Sequence, residues 1–392
     1  MDGEHYASTV RDALAELPYD VVGAYLVGGT EKLRGGEDYG VALVETLAAG
    51  LELAPDVVVD LSDEPVLSPR ARMLLASRVL AAGLPYEGAD FRFDAPRYDA
   101  FALPSLAVIG TGKRVGKTAV TAHLLRTLGR DRDVVAVAMG RGGPVEPEVV
   151  DVRPTVETLL ERSRAGHHAA SDYLELAALT GAVTVGCRRA GGGLAGAVTS
   201  SNVLEGARLA AALAPDLVVF DGSGAAVPPV DVDARILVVG AGHDATSYLN
   251  AYRVLVSDLV VATGHVDRAA IRELKDVPVV EVELRLRAVE PLAGRRVAVF
   301  TTGAGVPDDL DADVTLVSKS LSDRAKLRED LARADADVFL VEVKAAAIDL
   351  VAEEAARRGV DVVLAANDAV STSGRGDLDE EVARLVAAGV AA

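Results

Sequence analysis

Little in this chain invites covalent cross-linking: across 392 residues there is one cysteine, Cys187, so no intrachain disulfide can form and a reducing compartment is the expected setting. A lone small thiol after an apolar run reads first as a buried residue of the interior. Long hydrophobic runs are missing as well. No stretch approaches the ~20 apolar residues that cross a bilayer, and the start Met1-Asp2-Gly3-Glu4-His5 has neither the basic head nor the apolar core of a secretory leader. A cytoplasmic location is expected. Positive charge is scarce too, with 40 Lys and Arg against 59 Asp and Glu and a formal net charge of −19. That balance excludes non-specific attraction to nucleic acid or anionic membrane, which needs basic surface. Any phosphate site must be a local concentration of cations in an acidic protein.

What is present is globular. Half of the residues are apolar and a quarter charged, and the apolar ones come in short blocks bounded by polar or turn residues. Strand-like blocks alternate with helical patterns along the whole chain, which predicts an α/β fold with mostly parallel sheets. The length calls for two or three domains. Residues 1–100 form the expected N-terminal α/β domain, with strands near 21–27 and 56–61 and a closing aromatic, charge-mixed connector over 86–101, where Pro85, Pro96 and Pro104 discourage regular structure. Residues 101–291 form the central domain, a doubly wound, mostly parallel sheet of strands near 106–109, 134–138, 217–220, 236–239 and 259–262. Residues 292–392 form a C-terminal α/β domain with strands near 296–300, 314–317, 338–343 and 362–365.

The chemistry concentrates at Gly110-Thr111-Gly112-Lys113-Arg114-Val115-Gly116-Lys117-Thr118, which follows an apolar strand and precedes a helical pattern whose Leu124, Leu125 and Leu128 share a face. Strand, glycine-rich loop and helix in that order are the context of a phosphate-binding P-loop, so the central domain reads as a P-loop NTPase. Glycines let backbone N–H groups approach phosphate oxygens, and the helix N-terminus adds partial positive charge. Lys117 then addresses the terminal phosphates of ATP and Thr118 the magnesium; Lys117 is expected to pack no core. The strict G-x4-G-K-[ST] pattern would begin at position 111, where threonine stands, with Gly110 one residue earlier. Gly110, Gly112 and Gly116 also fit a loose dinucleotide-binding pattern, with Arg141 at a ribose 2′-phosphate, but such a loop has no use for Lys117-Thr118.

Asp221 closes the apolar run 216–220 and opens Asp221-Gly222-Ser223-Gly224. A carboxylate at that strand end is where a P-loop enzyme holds magnesium; a plain turn aspartate is the alternative. Two arginine-glycine stretches, Arg141-Gly142-Gly143-Pro144 and Arg188-Arg189-Ala190-Gly191-Gly192-Gly193, read as loops in which guanidinium forks reach two phosphate oxygens. His167-His168 precede a helical pattern over 171–179 and suit an anion contact or a helix cap. Metal binding by the pair is disfavoured, since no third ligand lies at a recognisable spacing.

The loop GT-x-x-x-VGKT is similar to that of dethiobiotin synthetase and related amidotransferase-type ligases. Together with Asp2-Gly3-Glu4-His5-Tyr6, Gly28-Gly29-Thr30-Glu31-Lys32, Met139-Gly140-Arg141-Gly142-Gly143-Pro144, Gly166-His167-His168-Ala169-Ala170-Ser171-Asp172-Tyr173 and Asp221-Gly222-Ser223-Gly224-Ala225-Ala226, it resembles the cyclic 2,3-diphosphoglycerate synthetase family. That resemblance implies an ATP- and Mg2+-dependent ligase that closes the two phosphates of 2,3-diphosphoglycerate into an internal anhydride, with release of ADP and phosphate. It implies Lys117, Asp221, Lys113 and Arg141 as catalytic residues, residues 110–118 as the nucleotide site, Thr118 and Asp221 as metal ligands, and Arg141, His167, His168, Arg188 and Arg189 around a small anionic substrate. Lys113 and Arg114 add cations to the same site, and a homodimer is allowed. Two other functions fit the loop: an ATP-dependent carboxylate ligase of the dethiobiotin-synthetase or amidotransferase type, and a regulatory or metallochaperone P-loop NTPase, against which the lack of a Cys/His cluster counts.

Overall fold

Valine- and leucine-rich blocks without polar alternation call for strands covered on both faces, and the middle and end of the chain are built from them. The computed structural model describes residues 1–292, 294–303, 310–343, 348–372 and 374–390. The chain divides into two compact units, one of Met1–Pro96 with Asp244–Val256 and Glu273–Lys275, the other of Arg97–His243, Ser257–Arg272 and Asp276–Ala392.

The second unit holds one large sheet. Its strands are β1 (Ser105–Gly110), β2 (Val134–Gly140), β3 (Glu148–Val150), β4 (Val183–Ala190), β5 (Ser200–Ser201), β6 (Leu217–Asp221), β7 (Ala234–Val239), β8 (Leu259–Ala262), β9 (Val279–Ala288), β10 (Arg296–Phe300), β11 (Asp313–Ser318), β12 (Val338–Glu342) and β13 (Asp361–Ser371). They lie in the order β5-β4-β2-β6-β1-β7-β8-β9-β13-β12-β10-β11, with β3 beside β4. Strands β1, β2 and β6 are buried at every residue. The helices used below are α1 (Lys117–Leu128), α3 (Asp172–Thr180) and, between them, α2 (Val156–Arg164). Helix α1 buries Val120, Leu124, Leu125 and Leu128, the i, i+4, i+5, i+8 spacing of a helix packed by one face.

From β4 to β9 the central strands run parallel, and so do β13, β12, β10 and β11. The two sets meet at an antiparallel seam, Val282 opposite Ser371 through Ala288 opposite Ala365. Pairing of β8 with β9 ends at Ala262 and Glu281, and pairing of β12 with β13 ends at Glu342 and Ala365. Between those points only β9 and β13 continue, as a two-stranded ribbon. The directions place the carboxyl ends of the two parallel half-sheets face to face across it. In open α/β sheets ligands bind beyond the carboxyl ends of strands where the strand order reverses, and here two such ends share one space. Asp368 on the ribbon accepts hydrogen bonds from Arg126 of α1 at 2.5 Å and Arg287 of β9 at 2.9 Å, tying the helix that follows the glycine-rich loop to the ribbon.

In the first unit, the strands expected near 21–27 and 56–61 shrink to Ala24–Tyr25 and Val58–Val59, because Gly23, Gly28 and Pro55 interrupt their flanks. The stretch after Pro85, expected to lack regular structure, begins with a short hairpin, Tyr86–Glu87 against Arg92–Phe93. Stacking of Phe91 on Tyr86 and Phe93, with ring centroids 5.7 and 5.6 Å apart, outweighs the flanking prolines. Two separate sequence motifs come together there. The Gly3 N–H donates to the Gly28 carbonyl at 2.8 Å, and the fully buried Asp2 accepts from the Glu4 and Asp63 N–H groups and from His5. Burial works against the Asp2 charge, but those donors outweigh it and hold its pKa below the ordinary range. Gly29 adopts the left-handed conformation and Thr30–Lys32 form one 3-10 turn; the Lys32 side chain lies outside the described residues. Among the described residues no helix is long and apolar enough to cross a membrane.

Phe220, fully buried on β6 with its ring edge-on to Phe101 at 5.2 Å, adjoins Asp221. Phe220→Ala is expected to cost about 3 to 5 kcal/mol. In urea denaturation the midpoint should fall with the slope unchanged; a loss below about 1 kcal/mol would contradict the packing described.

Candidate active site

Strand β1 ends at Gly110 in the middle of the sheet, between β6 and β7. The chain turns through Arg114 and Gly116, both at positive φ of 60° and 87°, and enters α1 at Lys117. Gly116 is required on two counts: its backbone is left-handed, and a Cβ there would lie 2.7 Å from Thr263 Cγ2 and 2.9 Å from Leu284 Cδ1. The loop is held from both sides. Thr111 N–H donates to the Val238 carbonyl at 3.1 Å, the Thr111 hydroxyl meets His243 Nδ1 at 3.3 Å, and the Thr263 hydroxyl donates to the Val115 carbonyl at 3.0 Å. No side chain caps α1. Its first-turn N–H groups therefore point, with the helix dipole, into the cavity that the loop lines.

Lys117 is 8% exposed, which corrects the expectation that it packs no core. Its Nζ donates to Asp221 Oδ1 at 2.7 Å, and Thr121 donates to the same oxygen at 2.7 Å. The sequence placed Asp221 at a strand end, and β1 and β6 are neighbours; their pairing brings the two charges together. Asp221 is fully buried, and its second oxygen, Oδ2, has no hydrogen-bond partner. Gly222 permits the turn that follows, since a Cβ there would fall 2.7 Å from the Ala226 carbonyl.

Residues 112–118 line a cavity of about 1430 Å3, together with Arg141, His168, Asp172, Ser223 and Gly224 on the β2, β4 and β6 side. Lys113 and Arg114 are exposed within it. Arg141 follows β2 directly, and the next two glycines pack tightly: a Cβ on Gly143 would collide with the Cys187 carbonyl and one on Gly142 would touch the His168 ring. Ser171 occupies the N-cap of α3 and donates to the Gly142 and His168 carbonyls. Asp172, in the first turn of α3, lies beside Gly140. Burial pushes its carboxyl pKa up, Lys117 opposes the shift, and the Asp221 charge adds to it.

Three residues expected at the substrate lie off the cavity wall. His167 is exposed within electrostatic reach of Glu148. Arg188 and Arg189 belong to strand β4, where the sequence reading put a loop, and successive residues of a strand face opposite ways. Arg188 is exposed and its N–H donates to Asn202 Oδ1. Arg189 donates to the carbonyls of Gly191 and Ser223; burial, then the nearby Arg141, lowers its pKa. It braces the Ser223-Gly224 turn that lines the cavity.

The opposite wall was not anticipated. Thr263 and His265 follow β8, Glu281 through Leu286 of the ribbon form a floor, and Thr302, Ser322, Glu342 and Asn367 close the far side. Glu342 is 1% exposed. Its Oε2 accepts from the Thr302 N–H at 2.6 Å and hydroxyl at 2.8 Å, and its Oε1 from Asn367 Nδ2 at 2.7 Å. Thr263 and Glu342 sit at the ends of apolar strands, the signal that singled out Asp221, and Asp172 lies in a motif already noted. Asn367 carried no sequence signal. Among the described residues no three His, Cys, Asp or Glu side chains come together as a metal cluster.

Three family models match the chain: the cyclic 2,3-diphosphoglycerate synthetase N-terminal domain over residues 1–94, its P-loop domain over 105–290 and its C-terminal domain over 288–368. Nucleotide binding belongs to that P-loop domain. Relatives named cyclic 2,3-diphosphoglycerate synthetase align along nearly the whole chain. The protein of Rubrobacter xylanophilus is 46% identical, covering 99% of this chain and 96% of the relative. That of Thermococcus kodakarensis is 38% identical, covering 98% and 97%, and that of Methanothermus fervidus 36%, covering 98% and 95%. With all three domains matched and relatives aligned from end to end, the chain belongs to the cyclic 2,3-diphosphoglycerate synthetase family, a family of ligases.

Proposed function

We propose that this protein uses ATP and Mg2+ to close 2,3-diphosphoglycerate into its cyclic anhydride, releasing ADP and inorganic phosphate. The observation that carries the reading is the end-to-end family match on a chain whose P-loop opens into one large cavity. At about 1430 Å3 the cavity exceeds the ~300–1,000 Å3 of a typical single-ligand pocket, which supports ATP and a second phosphorylated ligand side by side. The net charge of −19 supports a small-molecule partner over nucleic acid or membrane, and the lone cysteine supports a cytoplasmic setting. Residues 1–100, 101–291 and 292–392 act as N-terminal, catalytic and C-terminal domains in this reading.

In the first step an oxygen of one substrate phosphate attacks the γ-phosphorus of ATP, the bond to the bridging oxygen breaks, and ADP leaves. The second substrate phosphate then attacks the phosphorus still joined to glycerate. The terminal phosphoryl group departs as inorganic phosphate and the ring closes. A phosphate oxygen is nucleophilic at neutral pH, so the work is positioning and charge neutralisation. Residues 110–118 cradle the triphosphate, and Lys117 turns from Asp221 to the β and γ phosphates. Lys113, Arg114, Arg141 and His168 gather the substrate anions, and Arg189 holds the Ser223-Gly224 turn in place. The unpartnered Asp221 Oδ2 and the Thr118 hydroxyl are hard oxygen donors that fit magnesium, which when bound neutralises phosphate charge.

The direct test is phosphorus NMR of the protein with ATP and 2,3-diphosphoglycerate: a cyclic product with stoichiometric ADP is expected, and its absence refutes the substrate assignment. Lys117→Met should lower kcat by roughly a hundredfold or more and also destabilise the fold by about 3 kcal/mol, because Asp221 is left buried and uncompensated. Adding Asp221→Asn should return most of the stability and none of the activity; near-wild-type turnover in the single variant would remove Lys117 from the chemistry. Arg141→Lys keeps the charge but loses the fork. It should raise KM for diphosphoglycerate about ten- to a hundredfold with KM for ATP little changed; equal changes in both constants would place Arg141 elsewhere.

A further inference from the structure

On the β6 side of β1, where Lys117 reaches Asp221, the cavity is lined by Arg141 and His168, so the terminal phosphates lie there in the nucleotide-binding reading on which this inference rests. The remainder of a nucleotide must run the other way, past β7 and β8 to the ribbon. Two features meet it. Leu284 is 38% exposed inside the cavity, against Gly116 of the loop, and offers an apolar surface to a flat base. Cross-strand partners share a face of a sheet, and Asn367 is opposite Leu286. Asn367 therefore lies on the face of Leu284, two residues or about 7 Å further along.

The orientation of the Asn367 amide is fixed by its neighbour. Carboxylate oxygens accept hydrogen bonds, so Glu342 Oε1 binds the NH2 end of Asn367 at 2.7 Å, and the Oδ1 end is left as an acceptor on a residue that lines the cavity. Beyond the ribbon, the described lining residues Thr302, Ser322 and Glu342 supply hydroxyl and carboxylate oxygens, which favours a group with hydrogen-bond donors there.

We propose that Asn367, oriented by Glu342, reads the base of the nucleotide: its Oδ1 accepts a hydrogen bond from the exocyclic amine of adenine lying on Leu284. Guanine presents a carbonyl oxygen at the equivalent position, and two acceptors facing each other repel, so the site selects adenine nucleotides. Glu342 is a positioning residue. Its replacement by glutamine, of the same shape, puts an NH2 group toward Asn367; the Asn367 amide must then turn, presenting a donor to the cavity and reversing the preference.

The test is calorimetric titration of the full chain with ADP, GDP and inorganic tripolyphosphate, the last carrying no base. Wild type should bind ADP about tenfold or more tighter than GDP. Asn367→Ala should lose about tenfold for ADP while tripolyphosphate affinity holds, and Glu342→Gln should shift the ADP:GDP ratio about tenfold or more toward GDP. Equal wild-type affinity for ADP and GDP, an unchanged ADP affinity in Asn367→Ala, or an unchanged ratio in Glu342→Gln overturns the assignment. If tripolyphosphate still binds wild type in those cases, the phosphate loop stands and only the base-reading role fails; if wild type binds neither ADP nor tripolyphosphate, the nucleotide reading fails with it. Should Asn367→Ala lose all three ligands through misfolding, the near-isosteric Glu342→Gln decides.

Discussion

Two opposite charges removed from water at the centre of a sheet set the terms for everything around them. Lys117 and Asp221 lie on adjacent elements, the first turn of α1 and the end of β6, and each makes the other tolerable in the interior. The pair is incomplete, because one oxygen of Asp221 has no partner and α1 begins without a side-chain cap. A site with a free buried acceptor beside free helix donors can take a polyanion and a cation together at little cost in reorganisation. The neighbouring packing keeps that arrangement rigid. Gly116 meets Thr263 and Leu284, Gly222 meets the Ala226 carbonyl, and Gly143 meets the Cys187 carbonyl, all too closely for any larger residue.

Local order was the legible part. The strand, loop and helix around Gly110 to Thr118 follow from apolar runs and glycine placement, and Asp221 follows from its place at a strand end, since those signals are written in adjacent residues. What pairs with what was not legible. That Lys117 is buried follows from the contact with Asp221, 104 residues away, and composition near Lys117 carries no trace of it. Arg188 and Arg189 show the opposite error: glycines downstream made the segment look like a loop, whereas the arginines finish a strand, whose alternation gives two neighbours different surroundings. Asn367 matters through Glu342, which meets it from the neighbouring strand, so nothing in its own neighbourhood marks it.

The carboxylate-ligase and metallochaperone alternatives shared the same loop, which is why the loop alone left them standing. Family membership along the whole chain removes both. The dinucleotide alternative falls on chemistry as well, since a lysine and a threonine opening the helix serve a chain of phosphates and have no task beside a single pyrophosphate.

The ribbon of β9 and β13 has a further consequence. Seven residue steps separate Glu281, where β8 stops, from Ala288, opposite the residue of β13 where β12 stops, and at about 3.4 Å per residue they span roughly 24 Å. The ribbon is therefore a ruler, with the gap between the two facing strand ends counted out in residues. Its graduations are coarse. Lengthening both strands by one residue would turn every side chain beyond that point to the other face, so workable lengths differ by two residues, or about 7 Å. A chain lineage that kept this architecture while adapting to a longer or shorter pair of ligands would have to change the gap in steps of that size, or leave it alone and adjust the side chains that line it.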